Sequence, residues 1–487
     1  MSIYDRVREL ALIRSSAAVL GWDQETFLPT SGVDYRAKQI AWLLTQAHRL
    51  ATSSEWTADL KQAESETTEI SATTQANLRE LKREHRRAIC LPVSLVERDS
   101  ISCSLAKHAW AEAREKSDFS IFAPHLGTQI AIAREKAELW GYQDEPYDAL
   151  LEEYERGTST AEVAALFAHL KPAIREISAR AVAKTRLCRV SLPSGIYPIE
   201  AQVKFNALVA ASIGFDFQAG RIDTTTHPFC TTLGPADVRL TTRYTEGDFT
   251  SSLFGVLHEL GHGLYEQGLP TAEFGLPSGS AVSLGIHESQ SRLWENHVGR
   301  SARFWQKWYP MAQTHFVPLR NFPLDDFLKC IQRAQYSAIR VEADEATYDL
   351  HIILRFELER RMINGTLNVQ EIPFAWNEAF HDLFGFFPED HKSGCLQDIH
   401  WSMGGLGYFA TYTLGNINAA QLFYAASRDP KIAEDLAEAD YSTLLNWLRK
   451  NVHQHGACLN PSDLILSATG RRPSAEDYLS HLSSRYL

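Results

Sequence analysis

The chain has no pair of cysteines close enough in sequence to suggest a cysteine cluster. Its seven cysteines lie at 90, 103, 188, 230, 330, 395 and 458, an odd number, widely spaced and without a CxxC. That excludes a disulfide framework and a cysteine zinc site, and leaves small buried thiols in a reducing cytosol. No run of about 18 apolar residues is present, so no membrane span is expected. The N-terminal MSIYDRVREL is charged and lacks the apolar core of a secretory signal. A cytoplasmic, soluble protein is expected. Positive charge is also scarce: the net charge of −12 argues against a nucleic-acid partner and reads as a solvated acidic surface. Strand signals are few, and neither repeats nor a low-complexity linker divides the chain.

What remains is helical periodicity. In STAEVAALFAHLKPAIREI, Val163, Leu166, Phe167, Leu170, Ile174 and Ile177 fall on one face of a 3.6-residue helix, and Ser159 with Glu162 has the pattern of a capping box. Residues 121–141 read the same way, as do 325–363, either as one long helix or as two. The clearest strand is DVRLTTRY, 237–244, inside a Thr-, Gly- and Pro-rich stretch, 190–247, that predicts loops and a small sheet. The pattern predicts a mainly α protein: a single domain over 1–487, with room for two lobes around an active-site groove.

Just after that strand the chain reads SLFGVLHELGHGLYEQ, 252–267. Residues four apart share a helix face, so His258 and His262 can point at one ion. Glu259 is turned about 100° from His258 and flanks it, placed to take a proton from water activated by the ion. Phe254, Val256, Leu257, Leu260 and Leu264 make the helix strongly apolar, and Asp248 or Thr250 can cap its start. Two buried core histidines are the plain alternative, at odds with a helix whose other residues leave two polar rings to satisfy.

A catalytic zinc takes three protein ligands and keeps a place for water. The continuation HxxGxxH is absent, because Tyr265 and Gly268 stand at its later positions. The alternative is a glutamate from a following helix. Residues 279–299, GSAVSLGIHESQSRLWENHVG, read as that helix and offer Glu288, 26 residues after His262, with Glu295 seven residues further on a similar face. His287 points elsewhere, in a structural or substrate-side role.

Together these segments resemble the carboxypeptidase Taq family of zinc metallocarboxypeptidases. The resemblance rests on HELGH, HESQ at 287–290, HPF at 227–229, DVRLT at 237–241, IRVEAD at 339–344 running into EATYDLHIILRFELE, and GCLQDIHW at 394–401 followed by GYFATYTLGN. WDQET at 22–26 and YDALLEEYE at 147–155 extend it toward the N-terminus. The resemblance implies a helical, saddle-like fold with a deep groove, removal of single C-terminal residues from peptides, and a homodimer. It also selects Glu288 over Glu295 as the third ligand. The chain departs from the family pattern at Ala236, usually Gly, at Ala410, usually Pro, and in YERG at 154–157.

Several roles follow as expectations. Glu259 is the general base. His400, Tyr408 and Tyr412 are candidate oxyanion donors, since related groove-shaped zinc peptidases place His and Tyr from such a segment over the metal. A free carboxylate calls for arginine, with Arg340 the first choice and Arg239 the second. Asp237 and Asp344 then brace their motifs. The metal is expected to be Zn²⁺, although a His₂Glu set also accepts Co²⁺ or Mn²⁺. Two other functions fit parts of the pattern. A zinc oligopeptidase on a similar fold would tolerate a C-terminal amide, and a silent zinc-stabilised scaffold would bind metal without cutting peptides.

Overall fold

The structure is a computed structural model that describes residues 2–66 and 71–487. Helices dominate among them, and no helix is long and apolar enough to cross a membrane. All seven cysteines are free. The chain divides into two compact units. One comprises Met1–Ala88, Val190–Ile331 and Asn418–Pro473; the other comprises Ile89–Arg189, Gln332–Ile417 and Ser474–Leu487.

The first unit holds a three-stranded sheet of β1 (Gly220–Thr224), β2 (Cys230–Gly234) and β3 (Asp237–Thr242). β3 is central, parallel to β1 and antiparallel to β2. Its Val238 and Leu240 are buried under the helix Phe249–Gly268, which carries HELGH. Leu253, Leu257, Leu260 and Leu264 of that helix are fully buried, each contributing about 1.5–3 kcal/mol by leaving water. Of the two candidate caps, Asp248 acts: its carboxylate accepts from the Thr250 N–H at 2.8 Å. Gly263 lets β3 approach, because a Cβ there would stand 2.8 Å from Leu240 Cδ2.

Two expectations need correction here, and one open alternative is decided. The stretch 190–247 is not only loop and sheet; it also contains the helix Ile199–Ile213, bounded by Pro198 and by Gly214 at φ +115°. Phe205, Val209 and Ile213 of this helix are buried, a periodicity masked in the sequence by the Thr- and Gly-rich segments that follow. The segment 279–299 is helical only from Leu284, after the Ser283 cap, and from Leu293 to Val298 it becomes a π-helix. Of the alternatives for 325–363, one long helix or two, the structure has two α-helices, Leu324–Ile331 and Tyr348–Ile363. Asp344 lies between them, its carboxylate accepting from the N–H groups of Gln335, Ala346 and Thr347, which draws the backbone out of a continuous helix.

The second unit packs Phe119–Trp140, Thr160–Leu187 and Tyr348–Ile363 together. The Ser159–Glu162 capping box is present, and of the predicted face Val163, Phe167, Leu170, Ile174 and Ile177 are buried while Leu166 is half-buried. The helix Tyr348–Ile363 also buries Asp349, Arg355 and Glu359 completely. Buried charges of this kind need partners, and they find them on the segments that carry the motifs.

Candidate metal centre

In the first unit, the Nε2 atoms of His258 and His262 lie 3.7 and 3.6 Å from Glu288 Oε2. The three ligand atoms all fall within 4.8 Å of one another. Tetrahedral ligands about 2.1 Å from a zinc stand roughly 3.4 Å apart, so the donor set fits a divalent ion with little adjustment. The orientation of each side chain supports that fit. Arg292 Nε donates to Glu288 Oε1 at 2.7 Å, which leaves Oε2 turned toward the two rings. His258 Nδ1 meets Glu295 Oε2 at 3.0 Å, and His262 Nδ1 meets His287 Nδ1 at 2.6 Å. Each ring therefore has Nδ1 occupied and Nε2 aimed at Glu288.

Glu295 thus lies behind the His258 ring. In an α-helix, seven residues return to within about 20° of the same face, which would stack Glu295 over Glu288. The π turn breaks that register and brings its carboxylate to the far side of His258. Burial would raise the Glu295 pKa, but the His258 ring, Arg292 and Arg300 outweigh it and hold the carboxyl at about 2. His287 sits between His262 and Glu266, whose Oε1 is 2.9 Å from His287 Nε2.

Glu259 is buried next to the triad. Burial pushes its carboxyl up to about 7, against the opposing pull of His258. A cation held by the neighbouring ligands would favour its ionised form. Burial drives His262 well below its ordinary value, which leaves its lone pair available. For His258 burial acts the same way, but Glu288 and Glu295 prevail and raise it.

Arg239, on β3, lies beside the first-unit residue Trp22. Its Nε and Nη2 donate to the two carboxylate oxygens of Asp237 at 2.9 and 3.0 Å, and its guanidinium stands 4.1 Å from the Trp22 ring centroid. WDQET therefore provides a platform for the DVRLT arginine.

The second unit gathers the remaining candidates. His400, Tyr408 and Tyr412 form one aromatic cluster, with Tyr412 Oη 3.4 Å from His400 Nε2 and the His400 and Tyr408 centroids 5.1 Å apart. Burial, reinforced by Arg340 and Arg355 against Asp398, lowers His400 to about 4, so its ring is neutral. Its buried Nδ1 has no hydrogen-bond partner among the described residues. Arg340 stands 5.1 Å from the Tyr412 centroid. The fork of Arg340 is already engaged: Nε and Nη2 each lie 2.9 Å from Asp398 Oδ1, and Nη1 donates to Tyr348 Oη at 2.8 Å. Arg355 holds the other oxygen of Asp398. Both arginines put forward for the substrate carboxylate therefore have, in this structure, two guanidinium nitrogens engaged on an aspartate.

Sequence reading missed the braces. Glu266 follows His262 by four residues on the same helix face, a spacing that could have marked it. Arg355 and Glu359 share their helix with Asp349, Glu357, Arg360 and Arg361, so charge alone does not single them out in the sequence. Glu359 accepts from Tyr147 Oη, Trp401 Nε1 and the Gly407 N–H at 2.7, 2.7 and 3.0 Å, fastening both shoulders of the glycine-rich loop between His400 and Tyr408. The φ of +59° at Ala236 shows why glycine suits that position.

A family model described as carboxypeptidase Taq (M32) metallopeptidase matches residues 2–486. The chain belongs to the M32 family. Thermostable carboxypeptidase 1 of Thermus thermophilus is 40% identical over 98% of this chain and 96% of its own length. Carboxypeptidase 1 of Bacillus subtilis is 36% identical over 99% and 97%. Among solved structures, the M32 carboxypeptidase of Deinococcus radiodurans has a TM-score of 0.96 at 36% identity, covering 99% of this chain and 98% of that one. The Pyrococcus furiosus carboxypeptidase also has a TM-score of 0.96, at 35% identity, covering 100% and 98%. M32 membership makes this protein a peptide hydrolase, a carboxypeptidase dependent on a divalent metal.

Proposed function

We propose that the protein removes single C-terminal residues from peptides, with Zn²⁺ held by His258, His262 and Glu288 and with Glu259 as general base. The observation that carries this reading is the convergence of two Nε2 atoms on Glu288 Oε2, with buried Glu259 beside them. When bound there, zinc supplies the Lewis acidity that polarises a peptide carbonyl and makes water acidic near neutral pH.

The chain's own groups do the rest. Glu259 accepts the proton of the attacking water on a carboxylate oxygen and hands it to the departing amine nitrogen. Arg292 keeps Glu288 Oε2 directed at the histidines, and Glu295 holds the His258 ring. The neutral His400 ring and the hydroxyls of Tyr408 and Tyr412 are assigned, from the resemblance, as donors to the developing oxyanion. What supports this is their clustering and the unpartnered His400 Nδ1. Arg340 is the candidate for the free carboxylate through hydrogens left over after its three bonds to Asp398 and Tyr348, since a guanidinium carries five. Arg239 stands second, because Asp237 and Trp22 already fix its plane.

The reading treats both units as one catalytic domain, in the cytoplasm and as a homodimer; light scattering of the purified protein tests the dimer. Glu259→Gln is the test of mechanism. It should bind zinc as the parent does and lose turnover by at least about 100-fold, the order of a general-base contribution. Full activity in that variant would remove Glu259 from the role.

A further inference from the structure

The two histidines of HELGH are braced differently, and the difference points to a role for the first residue of HESQ. His258 rests directly on a carboxylate, that of Glu295. His262 rests on another imidazole, His287, at 2.6 Å between Nδ1 atoms. Behind it the chain continues from His287 Nε2 to Glu266 Oε1 at 2.9 Å, and Glu266 Oε2 accepts from the Thr232 hydroxyl at 2.6 Å. We propose that His287 and Glu266 are positioning residues that hold His262 in the tautomer and orientation required to bind the metal.

Counting protons fixes every atom along this line. For His262 to offer the Nε2 lone pair, its single proton must sit on Nδ1. His287 must then accept at Nδ1, because two N–H groups facing each other at 2.6 Å would repel. The His287 proton is thereby placed on Nε2, from which it is donated to Glu266. A carboxylate accepts there and accepts again from Thr232, so no donor is left over and no acceptor is left without a proton. The negative end of this relay is Glu266, whose polarisation of His287 strengthens the electron-pair donation of His262.

The surroundings fix the His287 ring. Its centroid is 4.6 Å from that of His262 and 5.2 Å from that of fully buried Tyr265. Tyr265 in turn accepts from the Val282 N–H at 3.1 Å through its hydroxyl, tying it to the approach to the HESQ helix. One turn of that helix therefore supplies the third ligand, Glu288, and the brace of the second, His287. This inference rests on His262 being a ligand.

The test is zinc affinity of the full-length, metal-stripped protein, measured by competition with a chromophoric chelator. His287→Ala should bind zinc about 10- to 100-fold more weakly, the usual loss for an outer-shell partner. His287→Gln should recover most of that loss, because its amide carries an acceptor and a donor side by side as the imidazole does. Glu266→Gln, which keeps an acceptor but removes the charge, should fall between parent and His287→Ala. The visible bands of the Co²⁺-loaded protein should shift in His287→Ala and return toward the parent in His287→Gln. Parent-like zinc affinity in His287→Ala, alongside a large loss in His262→Ala, overturns the relay. So does a glutamine variant that folds as the parent does but binds no better than the alanine one. If His262→Ala itself binds zinc normally, it is the assignment of His262 as a ligand that fails.

Discussion

Replacing Gly261 with alanine sets two effects of opposite sign against each other. In a helix interior the change alone stabilises by about 0.5–1 kcal/mol, because alanine loses less backbone freedom on folding. Here the added Cβ would stand 2.4 Å from the Gln290 carbonyl oxygen, 2.5 Å from Ser291 Cα and 2.6 Å from the Gln290 carbonyl carbon. All three are backbone atoms, so no side chain can rotate away. Ordinary contacts of about 3.5 Å require the two helices to part by roughly 1 Å. Overpacking of this kind costs about 1–3 kcal/mol, which outweighs the helix gain. Glu288 lies two residues before Gln290, so the displacement reaches the proposed third ligand, whose Oε2 now stands 3.6–3.7 Å from the histidine nitrogens. Metal sites tolerate errors of about 0.2 Å in ligand distance. Gly261→Ala should therefore lower the denaturation midpoint of the metal-free protein and weaken zinc binding at least about tenfold. Thermal denaturation and a zinc titration of the same preparation measure both. An alanine variant as stable as the parent, with parent zinc affinity, would refute the claim that this close approach sets Glu288.

Ala236→Gly should stabilise by about 1 kcal/mol, since a left-handed residue with a Cβ pays that steric penalty; chemical denaturation showing no gain contradicts the strain argument. Burial raises Glu359 from its ordinary 4.5 to about 7, against hydrogen bonds from Tyr147, Gly407 and Trp401. A raised carboxyl favours the fold below its unfolded pKa and loses that advantage as pH rises through the folded value. The stability of the parent relative to Glu359→Gln should thus fall by roughly 3 kcal/mol between pH 4 and 8, measured by denaturation across that range; a pH-independent difference refutes it. Arg340→Ala should lose hydrolysis of free-acid peptides along with their competitive binding, while binding of amidated peptides changes little. Equal losses for both would limit Arg340 to its bond with Asp398.

The parts of the fold legible in the sequence were those with a strong local cause. The HELGH helix has an apolar face and an aspartate cap, and Ser159 with Glu162 marks a helix start. DVRLT alternates and is β-branched as a half-buried strand is. The helix Ile199–Ile213 was hidden by the turn-rich residues after it. Whether 325–363 is one helix or two stayed open in the sequence because the three backbone hydrogen bonds to Asp344 that make the break come from the folded chain, not from a pattern. At the candidate metal centre, the placing of His258 and His262 on one face was legible from helix geometry. Glu288 and Glu295 were not separable by spacing, because the π turn that distinguishes them leaves no local mark. The braces were the least legible, since Glu266 meets His287 across two helices and Glu359 gathers donors from two distant segments.

The most direct test of the account is mass spectrometry of a defined peptide mixture after digestion by the zinc-loaded protein, with and without a chelator. Ladders shortened one residue at a time from the free C-terminus are expected, absent with chelator, restored by zinc, and absent for the same peptides carrying a C-terminal amide. Internal fragments, or cleavage of the amidated peptides at the same rate, would contradict it.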